Sequence, residues 1–382
     1  MMANTLGVGI IGCGNISSAY FALAPLFRGI EVRACADIKP AAARARAREY
    51  DVRAESVDAL LSAGDIDIIV NLTVPAAHYA VSKQAVGAGK HVYSEKPFVL
   101  SLAQGRDLAR LAARRKVRIG SAPDTFLGGA HQQVRSLIDA GRVGRITSGT
   151  CHVMSHGMEH WHPDPDFFFK PGAGPVLDVG PYYVTNLLQL LGPVASVVAR
   201  SATPAKHRTI TSRPRKGRKI RVETPTTVHA ILEFESGAII TLGASWDVWH
   251  HGHHNMELYG DKGTIEVPDP NYFGGDVHVT KGDKPVLRLP AWDHPFAVAN
   301  QEHPRGSRAN YRSTGLADMA DAILKDRPHR CSMELALHAV DVMTSILKSG
   351  ETSRPVRLRT TCERPAPLKP AQARSLLARK GR

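Results

Sequence analysis

The chain has 382 residues, 43% hydrophobic and 22% charged, the balance of a soluble globular protein with room for two domains. Lys and Arg outnumber Asp and Glu by 49 to 35, a formal charge of +14 that suits anionic ligands; no nucleic-acid motif accompanies it, so nucleic acid is set aside as a partner. No apolar run is long enough to span a bilayer, and no secretory leader pattern opens the sequence, so the expected setting is cytoplasmic.

The first element is a strand at Leu6–Ile11 that breaks into Gly12-Cys13-Gly14-Asn15-Ile16-Ser17. A helical pattern follows, with Ile16, Tyr20 and Leu23 on one face. Strand, glycine turn and helix start in this order predict a dinucleotide cradle: Gly12 makes the turn, and Gly14 lets the backbone approach a pyrophosphate. The third glycine of the usual pattern is Ser17. A second strand over Glu31–Ala36 ends in Asp37, placed to accept hydrogen bonds from the ribose hydroxyls of NAD and to repel the 2′-phosphate of NADP. Lys39 and Arg44 follow closely, so NADP stays possible beside NAD. The alternative is an ordinary glycine turn followed by a surface Asp.

A helix over Lys39–Tyr50 comes next, with Pro40 at its start. The strand Asp67–Leu72 runs through Thr73 and Pro75 into a helix that carries His78 near its beginning. His78 is read as either a capping or surface imidazole or a residue on the cofactor side. The strand Lys90–Glu95 ends in Glu95-Lys96-Pro97, and a lysine at the carboxyl end of a parallel strand points into the ligand crevice. A helix at Ser101–Arg115 opens with Ser101 and Gln104 as a capping box, and a strand follows at Lys116–Ala122. Strands alternating with helices predict a doubly wound parallel sheet over residues 1–123.

The rhythm changes after Asp124. A helix near Gln132–Ala140 leads to a strand at Arg145–Val153, then to a His- and Pro-rich loop over His156–Pro171, expected to cover a site. Asp178–Leu191 reads as one helix, with Asp178 and Tyr182 four apart on one face. Strands at Val194–Ala202, Thr226–Phe234 and Ala238–Asp247 without intervening helices predict an open, mostly antiparallel sheet, with Lys206–Arg221 as a basic hairpin excursion. Helices at Gly315–Asp326 and Met333–Lys348 close a second α/β domain, taken as 124–351. Residues 352–382 are expected to be a loosely held basic tail. Five scattered cysteines without a CxxC predict free thiols.

The glycine loop, Glu95-Lys96-Pro97 and Gly172–Tyr182, in this order, resemble the glucose–fructose oxidoreductase / inositol dehydrogenase family, Gfo/Idh/MocA. The resemblance runs to about Lys348. It implies a Rossmann domain followed by an α/β domain with an open sheet, and a dimer or tetramer built on that sheet. It also implies hydride transfer between NAD(P) and a hydroxyl of a sugar, inositol or glycoside. By the same resemblance Lys96, Asp178 and Tyr182 take the catalytic positions. Tyr182 stands where many members have histidine, and Thr185 where an acid often follows. Gly12, Gly14, Asn15, Ile16, Asp37, Thr73, Pro75, His78, Glu95 and Lys96 are the candidate cofactor contacts.

Oxidising a secondary alcohol needs a hydride acceptor and a base. A tyrosine titrates near ~10 in isolation, and a neighbouring ammonium lowers that value. Tyr182 is therefore the expected general base in oxidation and acid in reduction, with Lys96 as its electrostatic partner or, failing that, the acid–base group itself. The plainer alternatives are a packed aromatic for Tyr182 and a helix N-cap for Asp178. His156, Trp161 and His253 are candidates to line the substrate pocket. The histidine clusters at 152–162 and 250–254 show no zinc-binding spacing, so no metal is expected. Two other activities stay open: NAD-dependent glycoside cleavage through transient oxidation, and a non-catalytic dinucleotide-sensing regulator.

Overall fold

The computed structural model describes residues 5–303 and 306–378. The chain divides into two compact units, each assembled from separate stretches. The first comprises described residues within 1–129, 293–337 and 365–382; the second comprises 130–292 and 338–364.

The first unit is built on six strands: β1 (Leu6–Ile11), β2 (Ile30–Ala36), β3 (Arg53–Ala54), β4 (Ile68–Asn71), β5 (His91–Ser94) and β6 (Ile119–Ser121). They pair in parallel in the order β3-β2-β1-β4-β5-β6. Val8, Ile10, Ile68, Ile69, Val70, Val92 and Tyr93 are fully buried, as a parallel sheet covered on both faces requires. The order reverses between β1 and β4, and a doubly wound sheet opens its ligand crevice at that point. Helices α1 (Ser17–Leu23), α2 (Pro40–Tyr50), α3 (Val57–Ser62), α4 (Pro75–Gly87) and α5 (Leu102–Arg115) link the strands. Ser101 caps α5 by accepting from the Gln104 N–H, but the Gln104 side chain reaches the Leu100 N–H rather than that of Ser101. Helix α3, capped by Ser56, falls in a stretch with no sequence assignment; six residues give periodicity little room.

After α6 (Gly129–Asp139), the second unit sets β7 (Ile146–Met154), β8 (Val194–Ala202), β11 (Thr227–Phe234), β12 (Ile239–Ser245), β13 (Met256–Gly260), β14 (Gly263–Val267), β15 (His278–Thr280), β16 (Leu287–Arg288) and β17 (Val356–Arg357) into one nine-stranded sheet. Only β7 and β12 run parallel; the other pairs are antiparallel, as expected. In β11 buried and exposed residues alternate strictly, so one face packs and the other is open.

The basic excursion is an antiparallel pair, β9 (His207–Thr209) with β10 (Lys219–Arg221). Lys219 and Arg221 face outward and Arg208 is buried, while Ile210, Ile220 and Val222 pack with Phe168, Phe169 and Trp246 into a small core of their own. Burying each isoleucine is worth about 1.5–3 kcal/mol.

Two expectations are corrected. The helix predicted over Asp178–Leu191 is two helices, α7 (Gly174–Asp178) and α8 (Gly180–Leu191), separated at Val179. Asp178 closes the first, so it is not an N-cap, and the shared-face argument for Asp178 and Tyr182 on one continuous helix does not apply. The Gly180-Pro181 pair marks the restart, because proline favours a first helical turn. The expected loose tail is held through its described part. In the second unit Asp341 accepts from the Arg359 and Thr360 N–H groups at 2.6 and 2.9 Å. In the first unit the buried Arg330 donates to the carbonyls of Ala366 and Pro367, and Leu368, Ala373 and Leu376 are buried.

Three buried histidines, His131, His294 and His338, are each pushed down to about 4, in every case chiefly by desolvation. Their folded pKa lies below the unfolded value, so they contribute stability that is complete above pH ~6.5 and lost as pH falls toward 4. The denaturation midpoint in urea is expected to drop steadily between pH 7 and 4.5, with an uptake on unfolding approaching about three protons from these groups. A midpoint independent of pH across that window would contradict the assignment.

Candidate active site

In the first unit the candidate cofactor residues lie at the carboxyl ends of β1, β2, β4 and β5. Gly12 has φ +102°, and a Cβ there would come within 2.7 Å of the Leu72 carbonyl, so only glycine makes this turn without strain. A Cβ on Gly14 would meet nothing within 4 Å, which leaves the approach a pyrophosphate needs. Ser17, in the place of the third glycine, is fully buried and its hydroxyl donates to the Gly14 carbonyl at 2.6 Å. The serine thus fastens the loop that a glycine would only permit. Asn15 is exposed at the tip, and Ile16 is half-buried at the helix entry.

Asp37 ties the end of β2 to this loop. One carboxylate oxygen accepts from the Cys13 N–H and the other from the Lys39 N–H, both at 2.7 Å. Each oxygen keeps a lone pair for a ribose hydroxyl. The residues thus fit a dinucleotide: a glycine turn, an open approach and an oriented acid. Gly12→Ala is expected to weaken NAD binding about tenfold or more, since a left-handed backbone costs an alanine roughly 1–2 kcal/mol before any clash. Fluorescence titration with NAD reads this, and an unchanged affinity would remove the loop from the binding site.

The turn after β4 is held by Asn71, whose side-chain oxygen accepts from the Thr73 hydroxyl at 2.7 Å and whose amide donates to the His78 carbonyl and the Ser82 hydroxyl. Pro75 opens α4. His78 is no surface imidazole. It is buried, with Nδ1 2.8 Å from the Pro97 carbonyl and Nε2 2.9 Å from that of Thr73, and burial draws its pKa down. Both ring nitrogens face backbone oxygens, so His78 positions the two loops rather than reaching outward itself.

Glu95 is buried as well. It accepts from the Tyr20 hydroxyl at 2.9 Å and from the Lys96 N–H at 3.0 Å. Burial and the Glu95 charge hold the Tyr20 phenol well above its ordinary value, so Tyr20 stays a donor. Lys96 follows, half-buried, at the head of a cis Lys96–Pro97 bond.

The remaining candidate residues lie in the second unit. Eleven of the twelve residues of α8 are buried; Tyr182 is the exception. Its neighbour Tyr183 is packed, with its hydroxyl held by Asp269 and Asn255. Asp178 is half-buried at the end of α7. Of the three pocket candidates, His156 stacks on Trp249 with ring centroids 3.2 Å apart, and His253 stacks on His152 at 4.0 Å. Trp161 is half-exposed, edge-on to His162 at 5.3 Å.

The loop carrying His156 and Trp161 is anchored by a residue the sequence reading passed over as surface charge. Arg208, buried, donates to Glu159 at 2.7 Å, to the Trp246 carbonyl at 2.8 Å and to Asp247, and it lies over the Phe169 ring. Asp247 in turn accepts from the Thr227 hydroxyl at 2.6 Å. The signal in the sequence was faint: a single Arg between strand-forming residues in a run of basic ones.

Comparison with known proteins adds to this geometry. Residues 6–122 match the model of an oxidoreductase family with an NAD-binding Rossmann fold, and residues 131–266 match the GFO/IDH/MocA C-terminal domain. An uncharacterized oxidoreductase of Schizosaccharomyces pombe is 29% identical over 38% of this chain, which spans 39% of that protein. A dTDP-3,4-didehydro-2,6-dideoxy-alpha-D-glucose 3-reductase of Saccharopolyspora spinosa is 27% identical over 76% of this chain and 85% of its own length. The crystal structure of an NAD-binding oxidoreductase from Klebsiella pneumoniae has the same fold, with a TM-score of 0.79, 21% identity, and coverage of 93% of this chain and 99% of that one. Among the described residues no helix is long and apolar enough to cross a membrane.

Proposed function

This chain belongs to the GFO/IDH/MocA family of NAD-dependent oxidoreductases, and we propose that it transfers a hydride between the nicotinamide and a secondary hydroxyl, or the corresponding ketone, of a sugar or related polyol. The carrying observation is the cradle at the strand-order reversal, where Gly12, Gly14 and Asp37 suit a dinucleotide and Lys96 follows the buried Glu95. The sugar class is supported by the Saccharopolyspora spinosa relative, whose name describes reduction of a keto sugar.

The bound nicotinamide supplies or accepts the hydride; the chain's own residues handle the proton. In this reading Tyr182 takes the hydroxyl proton during oxidation and returns it during reduction. Its position as the unburied residue of a buried helix supports contact with a ligand over core packing. Lys96 is the proposed source of positive charge for the developing alkoxide of the substrate. Asp178 holds a substrate hydroxyl, and His156, Trp161 and His253 shape the pocket around the sugar. Small polyhydroxylated molecules are the proposed partners, and assembly into a homo-oligomer is part of the same proposal.

A panel of sugars, inositols and glycosides, offered with NAD and then NADP, tests the reading through the absorbance of reduced nicotinamide. At least one sugar or polyol is expected to give sustained turnover, faster with NAD because Asp37 disfavours a 2′-phosphate. Binding of dinucleotide without turnover on any member, oxidised or reduced, would favour the sensing role instead.

A further inference from the structure

Cross-strand registry in the second unit places Glu257 of β13 opposite Glu266 of β14, and Glu266 opposite His278 of β15. Two carboxylates facing each other across antiparallel strands repel, and sheets usually answer such a pair with Lys or Arg. Here Glu266 pairs with two imidazoles instead: His278 Nδ1 at 3.3 Å and His254 Nδ1 at 3.8 Å. Glu257 accepts from the hydroxyls of Thr150 and Tyr259 at 3.3 and 3.2 Å, which orient it without supplying charge. Ligand atoms of His254, Glu257 and Glu266 all lie within 4.8 Å of one another.

We propose that His254, Glu257 and Glu266 bind one divalent transition ion of the zinc class, which braces β13 against β14, with His278 of β15 orienting Glu266 from outside the ligand set. One imidazole and two carboxylates, with water completing the shell, form a mixed nitrogen–oxygen set that suits zinc and its neighbours and is poor for magnesium, which prefers an all-oxygen octahedron. The ligands come from β13, β14 and His254 just ahead of β13, so no metal-motif spacing announces them, and the absence of such a motif in the histidine-rich segments said nothing about this site. The two glutamates are half-buried and His254 is exposed, which leaves an entry path and room for water ligands. The ion would cancel the repulsion between Glu257 and Glu266, so its effect is structural and independent of hydride transfer.

The test uses the full chain, stripped with chelator and titrated with zinc chloride alone, by calorimetry and by thermal melting. One zinc per chain is expected, with a rise in Tm that about millimolar magnesium does not reproduce. E266Q is expected to weaken zinc binding roughly tenfold or more and to abolish the zinc-dependent rise. Without zinc, E266Q should melt no lower than the parent, because it removes a like-charge contact; simple His–Glu hydrogen bonding predicts a lower melting point instead. E257Q gives the same reading if E266Q does not fold, which circular dichroism checks. No saturable zinc binding, or binding unaltered in both variants because the histidine-rich loops hold the ion, overturns the proposal.

Discussion

Replacing Lys96 with Met should lower kcat/KM by about 100- to 10,000-fold, the range typical of a lost proton-transfer or charge-stabilising group. NAD affinity should change far less, because the cradle is built by Gly12, Gly14 and Asp37 rather than by the ammonium. Tyr182→Phe should fall in the same range. It removes only a hydroxyl from a side chain that is not buried, so the fold should be spared. If the two groups act as a unit, the double variant loses little more than either single one. The pH profile separates the roles. Tyr182→Phe should remove any pH dependence that comes from this hydroxyl, whereas Lys96→Met should leave it in place with a lower rate throughout. Wild-type turnover in either variant would mean that the proton is handled elsewhere.

The second large effect concerns stability. Arg208→Ala should destabilise the protein by about 3–5 kcal/mol, the usual cost of removing one partner from a buried ion pair. Arg208 is 7% exposed and Glu159 5%, so little solvent is available to take over the stranded charge. Arg208→Lys should recover only part of the loss, because an ammonium cannot span Glu159, Asp247 and the Trp246 carbonyl together as a planar fork does. Urea denaturation of the three proteins measures this. A loss below about 1 kcal/mol for the alanine variant would return Arg208 to the class of surface charges. Because the network ties the loop bearing His156 to β11 and to the segment before Trp249, KM should rise even where the fold survives.

The cofactor cradle was legible because its signals are local. Gly12 and Gly14 follow a strand, Asp37 ends the next one, and Glu95-Lys96-Pro97 closes another, all within runs whose periodicity is clear. The doubly wound parallel sheet followed from alternation of strand and helix, and the six strands pair in parallel. The second unit was legible as a succession of strands but not as a site. Val179 interrupts a run whose apolar spacing continues on both sides, so the break hides from a periodicity reading. Arg208 sits in a basic stretch where composition says solvent; its burial depends on Glu159 and Asp247, 49 and 39 residues away. The terminal segment has the prolines and arginines of a tail, yet Arg330 and Asp341 supply its hydrogen bonds from distant helical and loop positions. His78 was placed correctly near the start of its helix, but the two carbonyls that occupy its ring come from separate loops. For Arg208 and the terminal segment the missing information was a long-range partner.

The most direct test of the account is the nicotinamide balance in a single turnover with the best sugar or polyol from the panel. One reduced nicotinamide should accumulate for each hydroxyl oxidised, and Tyr182→Phe should slow that step without changing its stoichiometry. A cleaved glycoside with the cofactor returned to its starting state, or a chain that binds neither NAD nor NADP, would contradict it.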